Sequence, residues 1–301
     1  MGRLGTLLKE KAPGLHRFLN RRDGKWPLLR ELLAGILVLG LLVSLLYGLT
    51  GQGMPFGGGY PVVVVTTGSM MHCENGMPPL GSDCDPTNWG RLGTIDPGDL
   101  VFVRSIDEPS DVATMAEDGR SHYGHPGDVI VYRPNGNAAA TPIIHRAMFW
   151  VQAEPDGTYS VPAYGISHAR RLDDPRLLEL VDCPRDDDLT NTFDAYRHAF
   201  PDPSGFVTRG DNNGNADACA QAPGVARLDW VLGKARGEVP WVGLVNLLYG
   251  DMRSGTSHFG EAGSDSKTMF FVTIAVLVAA PWVIEVFVRR RRRRRADEEG
   301  D

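Results

Sequence analysis

Two long apolar runs lie near the ends of the chain and differ sharply from everything between them. Residues 32–49 form a run of 18 residues without a charge, and residues 269–288 form a run of 20 residues with one acid, Glu285. Each run is long enough to cross about 30 Å of hydrocarbon as a helix. We predict two transmembrane helices and take the first as a retained anchor, because a cleaved signal peptide has a shorter apolar core.

Between these runs, short segments rich in Val, Ile and aromatic residues alternate with Gly, Pro, Asp and Asn, a pattern typical of strands joined by turns. The segments predicted as strands are 61–66, 100–104, 129–133, 143–152, 206–209 and 230–232. No strong amphipathic helix is apparent here, although residues 173–200 have room for one short helix. The pattern predicts a mostly β domain, either a barrel or a folded sheet.

Three polar stretches without clear periodicity interrupt this β pattern and are interpreted as insertions, at 70–95, 107–125 and 153–204. They complete the predicted organisation of the chain. It consists of a basic segment 1–31, a first transmembrane helix 32–49, a domain 50–268 that carries the insertions, a second transmembrane helix 269–288 and an Arg-rich tail 289–301.

The charges beside the apolar runs predict the orientation of the chain in a cell membrane. Residues 1–31 contain eight Lys and Arg against three acids, and seven consecutive arginines occupy 289–295. Because basic flanks stay on the cytoplasmic side, we expect a two-pass protein with both termini cytoplasmic and the domain outside. The arginine run is interpreted as a stop-transfer signal, and no nucleic-acid partner is expected because no motif for one accompanies it.

The region between the runs is acidic. Residues 51–268 hold 16 Lys and Arg against 29 Asp and Glu, a net charge of −13, and the whole chain has only five lysines against 26 arginines. Strong salt screens the repulsion within such a surface. We expect a salt-loving prokaryote, specifically an archaeon; recruitment of basic partners is the alternative explanation of the acidity.

Four cysteines, Cys73, Cys84, Cys183 and Cys219, all lie in this region, where disulfides are permitted if it is extracytoplasmic. Three pairings are open. Closeness in sequence favours Cys73–Cys84 and leaves Cys183–Cys219. Zinc binding with His72, His122 and His125 is the alternative, but the chain has no CxxC or HExxH spacing, and no metal is expected.

Three segments, 66–70, 143–147 and 209–217, carry the residue types of serine nucleophilic catalysis: a hydroxyl, an imidazole and two carboxylates. The predicted strand 61–66 runs into Thr67-Gly68-Ser69, which presents the Ser69 hydroxyl at a strand end. Gly68 allows the backbone to approach a substrate closely, and the Thr67 hydroxyl beside the Ser69 amide forms a candidate pair of oxyanion donors.

Each of these residues also has an ordinary structural interpretation. His145 interrupts an apolar strand, and a single histidine in that position is commonly a core residue. Lys234 is an alternative base. The alternating oxygen ligands of 211–217 resemble a calcium loop, but Ala216 and Ala222 stand where the EF-hand pattern requires Gly and an acid.

Taken together, the segments resemble the motifs of type I signal peptidases, specifically the archaeal and endoplasmic-reticulum branch. In that branch a Ser-Met pair follows a short strand, as in 68–70, and His-Arg replaces the lysine base of the bacterial branch, as in 145–147. A final Gly-Asp-Asn-Asn box with a second acid six residues after the first is matched by 210–217, and a Gly-Asp strand box by 127–132. The second apolar run and insertion 153–204 are not general to that family.

This resemblance implies a signal-peptidase-like β catalytic domain and a membrane-bound serine endopeptidase that cleaves signal peptides from exported preproteins after small residues. It implies Ser69 as nucleophile and His145 as general base. Asp217 is expected to orient His145 and Asp211 to support the site, although the sequence leaves open which acid does which. The residues expected to bind substrate are Val62, Val63, Val64, Val65 and Met70.

The same resemblance implies no cofactor, and the hydroxyl–imidazole chemistry requires none. The expected partners are signal-peptide-bearing preproteins, the lipid bilayer and the protein-export translocon. Two other classes of function stay open at this point. The chain could be a catalytically silent scaffold subunit of a processing complex, or a membrane-tethered β adhesin or sensor.

Overall fold

The computed structural model describes residues 26–52, 59–71, 93–117, 120–183, 189–199, 204–219, 224–254 and 258–298. Its helices are α1 (Trp26–Thr50), α2 (Pro175–Val181), α3 (Thr190–Ala199), α4 (Leu244–Ser254), α5 (His258–Glu261) and α6 (Ser264–Glu298). Its strands are β1 (Val62–Val64), β2 (Leu100–Arg104), β3 (Ser121–His122), β4 (His125–Pro126), β5 (Val129–Tyr132), β6 (Ile143–Ala153), β7 (Tyr159–Val161), β8 (Ile166–Ala169), β9 (Gly205–Arg209) and β10 (Val231–Val239).

One antiparallel sheet organises the domain. Its strand order is β1-β2-β10-β5-β6-β7-β8, and β9 pairs with β6, while β3 and β4 form a separate hairpin. All four residues of β5, Val-Ile-Val-Tyr, are buried, as expected for a strand covered on both faces. The six predicted strands are confirmed, with ends that move by at most two residues except for the last, which continues to Val239.

The helical content is larger than the sequence pattern predicted. The stretch 153–204 was interpreted as a polar insertion with one short helix, but it contains β7, β8, α2 and α3. Two further helices, α4 and α5, precede α6, where no amphipathic helix was expected. Helices exceed strands by residue count, chiefly because α1 and α6 are long, so "mostly β" describes the sheet domain better than the whole chain.

Helices α2 and α3 form because their few apolar residues are spaced to share one buried face. Leu177 and Val181 lie four residues apart on α2, and Leu189 and Phe193 have the same spacing at α3; all four are fully buried in one cluster with β6 and β9. Asp174 caps α2 by accepting a hydrogen bond from the Arg176 N–H. Burial of about 2 kcal/mol per side chain holds this region on the sheet.

Within the part of the chain that the structure describes, two helices are long and apolar enough to cross a membrane, over Glu31–Thr50 in α1 and Ser264–Arg291 in α6. Their apolar side chains are exposed, as with Leu37 at 65% and Val278 at 75%. Exposed apolar surfaces of this extent are typical of contacts with lipid or with another protein. The chain divides into two compact units, Met1–Gly59 and Tyr60–Asp301.

Candidate active site

Ser69 lies in a single 3₁₀ turn, Gly68–Met70, that follows β1 at the edge of the sheet. Asn212 holds this turn in place: its backbone N–H donates to the Ser69 carbonyl at 2.8 Å, and its side-chain amide donates to the Gly68 carbonyl at 3.0 Å. Gly210 permits this approach, because a Cβ there would lie 2.6 Å from the Ser69 carbonyl oxygen. The loop after β9 therefore positions the serine.

His145 connects the serine to a carboxylate. It is nearly buried on β6, where it pairs with Ile130 of β5. Its Nε2 lies 3.0 Å from Ser69 Oγ, and its Nδ1 lies 2.6 Å from Asp217 Oδ2. With the proton on Nδ1 facing the carboxylate, Nε2 is free to accept the serine proton. These three side chains come from the ends of different elements and form one hydrogen-bonded chain.

Two residues that sequence reasoning missed hold Asp217, the last member of this hydrogen-bonded chain. Tyr132 on β5 donates its hydroxyl to Asp217 Oδ2 at 2.8 Å, and Thr208 on β9 donates to the same oxygen at 2.7 Å. Together with His145, they give this one oxygen three donors. Nothing in the local sequence marks either residue, because both contacts depend on the pairing of β6 with β5 and β9.

Asp211 has a different role in the fold. It makes a bidentate ion pair with Arg146, at 2.8 Å from Nε and 2.6 Å from Nη2, and both side chains are almost fully buried. The remaining Arg146 donors point to the backbone carbonyls of His122, Tyr123, His125, Pro126 and Gly127. Arg146 thus ties the β3–β4 hairpin to the loop that bears Asn212. Asp217 is thus the acid that contacts His145, whereas Asp211 contacts Arg146.

The candidate oxyanion donors lie beside the serine. Thr67 Oγ1 is 3.5 Å from Ser69 Oγ, at the limit of hydrogen-bonding distance, and Thr67 is exposed. At Gly68, an added Cβ would lie 2.0 Å from the end of the Met71 side chain, so a side chain there would displace Met71. The Thr67 hydroxyl therefore lies beside the hydroxyl of the candidate nucleophile.

An open groove of about 540 Å³ begins at Ser69 and His145. One wall is formed by β1 and the residues after it, including Val62–Val65, and the other by Val131 and the start of β6 at Ile143 and Ile144. Met70 was expected to bind substrate, but it is 1% exposed, packs in the core and does not line the groove. Val65 is similarly buried, at 2% exposed, but it borders the groove. The turn places Ser69 toward the groove and the next side chain into the protein.

A buried carboxyl supports the β1 wall. Burial raises the pKa of Asp99 to about 7, with a smaller contribution from the nearby charge of Asp96. Asp99 Oδ2 accepts a hydrogen bond from the Asp96 N–H at 2.9 Å, and Oδ1 accepts one from the Trp241 N–H at 3.1 Å. Asp99 therefore links the turn that precedes β2 to the segment that precedes α4.

Lys234, the alternative base, is engaged elsewhere. Its Nζ donates to Asp128 Oδ2 at 2.8 Å and to the Asp111 carbonyl. His122, considered for zinc, faces the other oxygen of Asp128 at 3.6 Å. Within the described residues, no group of three or more His, Cys, Asp and Glu side chains is placed to hold a metal ion. His72, Cys73 and Cys84 lie outside the described residues, as does most of the predicted insertion 70–95.

A disulfide joins the region 153–204 to the acid-bearing loop. Cys183, two residues beyond α2, is bonded to Cys219, which lies in the same 3₁₀ helix as Asp217. The Val181 carbonyl accepts a hydrogen bond from the Ala216 N–H at 2.8 Å. The Cys183–Cys219 pairing is confirmed, and the end of α2 supports the turn that carries Asp217.

Comparisons of this chain with sequence models of protein families, with curated proteins and with solved structures find no match.

Proposed function

We propose that this chain is a membrane-bound serine endopeptidase that removes signal peptides from exported preproteins, as a type I signal peptidase of the archaeal and endoplasmic-reticulum kind. The observation that carries the proposal is the hydrogen-bonded chain from Ser69 through His145 to Asp217, which opens onto an apolar groove. A nucleophile, a base and an orienting acid at these distances are what acyl transfer by serine requires.

In the proposed reaction, Ser69 Oγ attacks the carbonyl carbon of the cleaved bond while uncharged His145 accepts the hydroxyl proton at Nε2. The negative charge of Asp217, 2.6 Å from Nδ1, stabilises the imidazolium that forms. The Ser69 N–H and the Thr67 hydroxyl stabilise the oxyanion. His145 then gives its proton to the departing amine, which is the new N-terminus of the mature protein. Water, activated by His145, hydrolyses the remaining ester and frees Ser69.

The groove supports an extended substrate with small side chains. Among the described strands, β1 is the last in the sheet order, and an extended substrate can pair with an edge strand of this kind. The walls are lined by β-branched side chains from Val62 to Val65 and from Ile143 and Ile144, which leave shallow apolar pockets. A substrate strand between the two walls would place its carbonyl beside Ser69.

The two apolar helices support the membrane location. We propose that α1 and α6 both span the cell membrane, with both termini cytoplasmic, as the flanking arginines of 289–295 favour. The apolar segment of a signal peptide also lies in the bilayer, so its cleavage site emerges at the outer surface. An enzyme held at that surface meets the site at high effective concentration and in a restricted orientation.

The test is cleavage of a radiolabelled preprotein by membranes that contain the wild type, Ser69→Ala or His145→Ala, in strong salt. His168→Ala is the matched control, because His168 is an exposed histidine whose ring contacts Asp156 and Thr158. We expect wild type and His168→Ala to cut after a small residue, as sequencing of the new N-terminus would show, and the other two variants to be inert. An intact preprotein with wild type, or normal cleavage by Ser69→Ala, would contradict the proposal and favour a silent scaffold.

A further inference from the structure

Helix α4 has a stripe of exposed apolar side chains that the proposed peptidase chemistry does not use. Val245 is 58% exposed, Leu248 36%, Tyr249 63% and Met252 77%. Their spacing of three and four residues places all four on one face of the helix. Asn246 lies on another face and is also exposed. An exposed apolar stripe on a surface helix is typical of a helix that lies in a membrane interface.

The adjoining face of α4 packs against the proposed membrane span. Leu244 and Leu247 are buried in one cluster with Ala262 and Phe270, and Phe270 belongs to α6. Trp241, three residues before α4, donates its indole N–H to Thr273 Oγ1 of α6 at 3.2 Å. The exposed stripe is therefore continuous with a helix that is itself apolar and exposed.

These contacts determine the level of α4 along α6. The apolar run of α6 begins at Met269, and Thr273 lies four residues further, about 6 Å along the helix axis. Interfacial helices bury their apolar faces about 5–10 Å into the boundary between headgroups and acyl chains. The start of α4 therefore lies at the depth of a bilayer interface if α6 spans the membrane.

The same helix also supports the groove. Val64 of β1 packs against the Leu244 cluster, and a Cβ on Gly243 would lie 2.7 Å from Val64 Cγ1. The Trp241 N–H donates to Asp99 in the turn that precedes β2. Because Val64 in the wall of the groove packs directly against α4, the depth of α4 in the membrane would fix the height of Ser69 above the bilayer.

We infer that α4 is a second membrane-contacting element, which lies in the outer bilayer interface with Val245, Leu248, Tyr249 and Met252 in lipid. The occupant of this face is the bilayer that contains α6, because the stripe is continuous with α6 and lies at interfacial depth. The inference rests on the proposed membrane placement of α6 and does not depend on peptidase activity. Its consequence is that α4 and α6 together hold the groove at a defined distance from the lipid.

The test measures where a nitroxide label on α4 lies in proteoliposomes of the full chain. Labels are attached at Met252→Cys and, as the matched control on the same helix, at Asn246→Cys. Val278→Cys, in the middle of the apolar run of α6, provides the reference for lipid exposure. The chain without an introduced cysteine gives the background. Collision rates are measured with oxygen, which concentrates in lipid, and with a water-soluble nickel chelate.

We expect the ratio of oxygen to nickel collisions at position 252 to exceed that at 246 by about fivefold or more, with 278 also in lipid. A label at 252 that is as accessible to nickel as the one at 246 would overturn the inference. So would a label at 252 that is immobilised and shielded from both reagents, because protein, either α1 or a second copy, would then cover the face. If 278 is in water, the membrane placement of α6 fails as well.

A functional measurement separates the effect of the membrane depth of α4 from an effect on catalysis at Ser69. Met252→Asp adds a charge to the stripe, and Asn246→Asp adds the same charge to another face of α4. We expect Met252→Asp to lower cleavage of a vesicle-bound preprotein severalfold and to leave cleavage of a short soluble peptide unchanged, while Asn246→Asp changes neither. Equal effects of the two substitutions on the preprotein would contradict the inference, even if peptide cleavage by Ser69 is normal.

Discussion

The hydrogen bond between His145 and Asp217 allows the contribution of the Asp217 charge to kcat to be predicted. Substitution of Asp217 by Asn keeps the size of the side chain and removes its charge. Tyr132 and Thr208 both donate to Oδ2 in the wild type, so they should keep the amide oxygen in that position. The His145 Nδ1–H then still has an acceptor, and the tautomer needed for Nε2 to act as base is retained.

The transition-state stabilisation that Asp217→Asn loses should therefore equal the electrostatic stabilisation of the imidazolium by the Asp217 charge. With Nδ1 and Oδ2 2.6 Å apart, the centres of the two charges are separated by about 4 Å, and their attraction at an effective dielectric constant of 20 is about 4 kcal/mol. At 1.36 kcal/mol per factor of ten, kcat falls by about 10³-fold. This loss is smaller than the roughly 10⁴-fold loss in a serine triad whose asparagine selects the wrong tautomer.

The assay compares Asp217→Asn with Asp211→Asn in purified full-length protein, by turnover of a short peptide and by thermal unfolding. Asp211→Asn leaves the Arg146 charge buried without its partner, which costs about 3–5 kcal/mol of folding free energy. Its unfolding temperature should fall by about 10 °C. Asp217→Asn should lose turnover with little change in unfolding temperature. If Asp217→Asn keeps turnover within a few-fold of wild type while Asp211→Asn abolishes it without destabilisation, the assignment of the orienting acid is wrong.

Three further predictions concern the groove, the disulfide and the buried carboxyl. Thr67→Val should lower kcat by about 10²-fold with a smaller change in KM, because it removes one oxyanion donor; unchanged peptide turnover would exclude that role. Cys183→Ser should cost about 2–4 kcal/mol of unfolding free energy and lower turnover, since Cys219 shares a 3₁₀ helix with Asp217. An unfolding temperature equal to that of wild type would contradict this. Since burial raises the pKa of Asp99 from 3.8 to about 7, its contribution to stability is fully present below pH 3.8 and is lost as the pH rises through about 7. The unfolding temperature of wild type relative to Asp99→Asn should thus be higher at pH 5 than at pH 8, and a constant difference would refute the buried-carboxyl account.

The strands could be predicted from sequence because short β-branched runs between Gly and Pro have few other structures available. The serine at the end of β1 followed from the same pattern, since 61–66 stops at Thr67-Gly68-Ser69. The choice of Asp217 over Asp211 came from family resemblance and not from spacing. Both acids lie in one polar turn, and only the three-dimensional path of that turn places Asp217 at His145 and Asp211 at Arg146.

The features of the fold and of the site that could not be predicted depend on contacts between residues distant in sequence. Tyr132 and Thr208 reach Asp217 through strand pairing, and the register of long-range pairs cannot be read from composition. The region 153–204 was predicted to be mostly irregular because its elements are short and mostly polar. Its helices are held by pairs such as Leu177 and Val181, which bury one narrow face each and give little periodic signal.

Ser69 is the proposed nucleophile, and the proposed function depends on it. The most direct test of this assignment is the turnover number of purified full-length wild type and Ser69→Ala on a short peptide with a small residue before the cleaved bond. Ser110→Ala is the control, because Ser110 is an exposed serine whose hydroxyl donates to Glu108. We predict a loss of at least about 10⁴-fold for Ser69→Ala and none for Ser110→Ala. Turnover by Ser69→Ala within a few-fold of wild type would contradict the account.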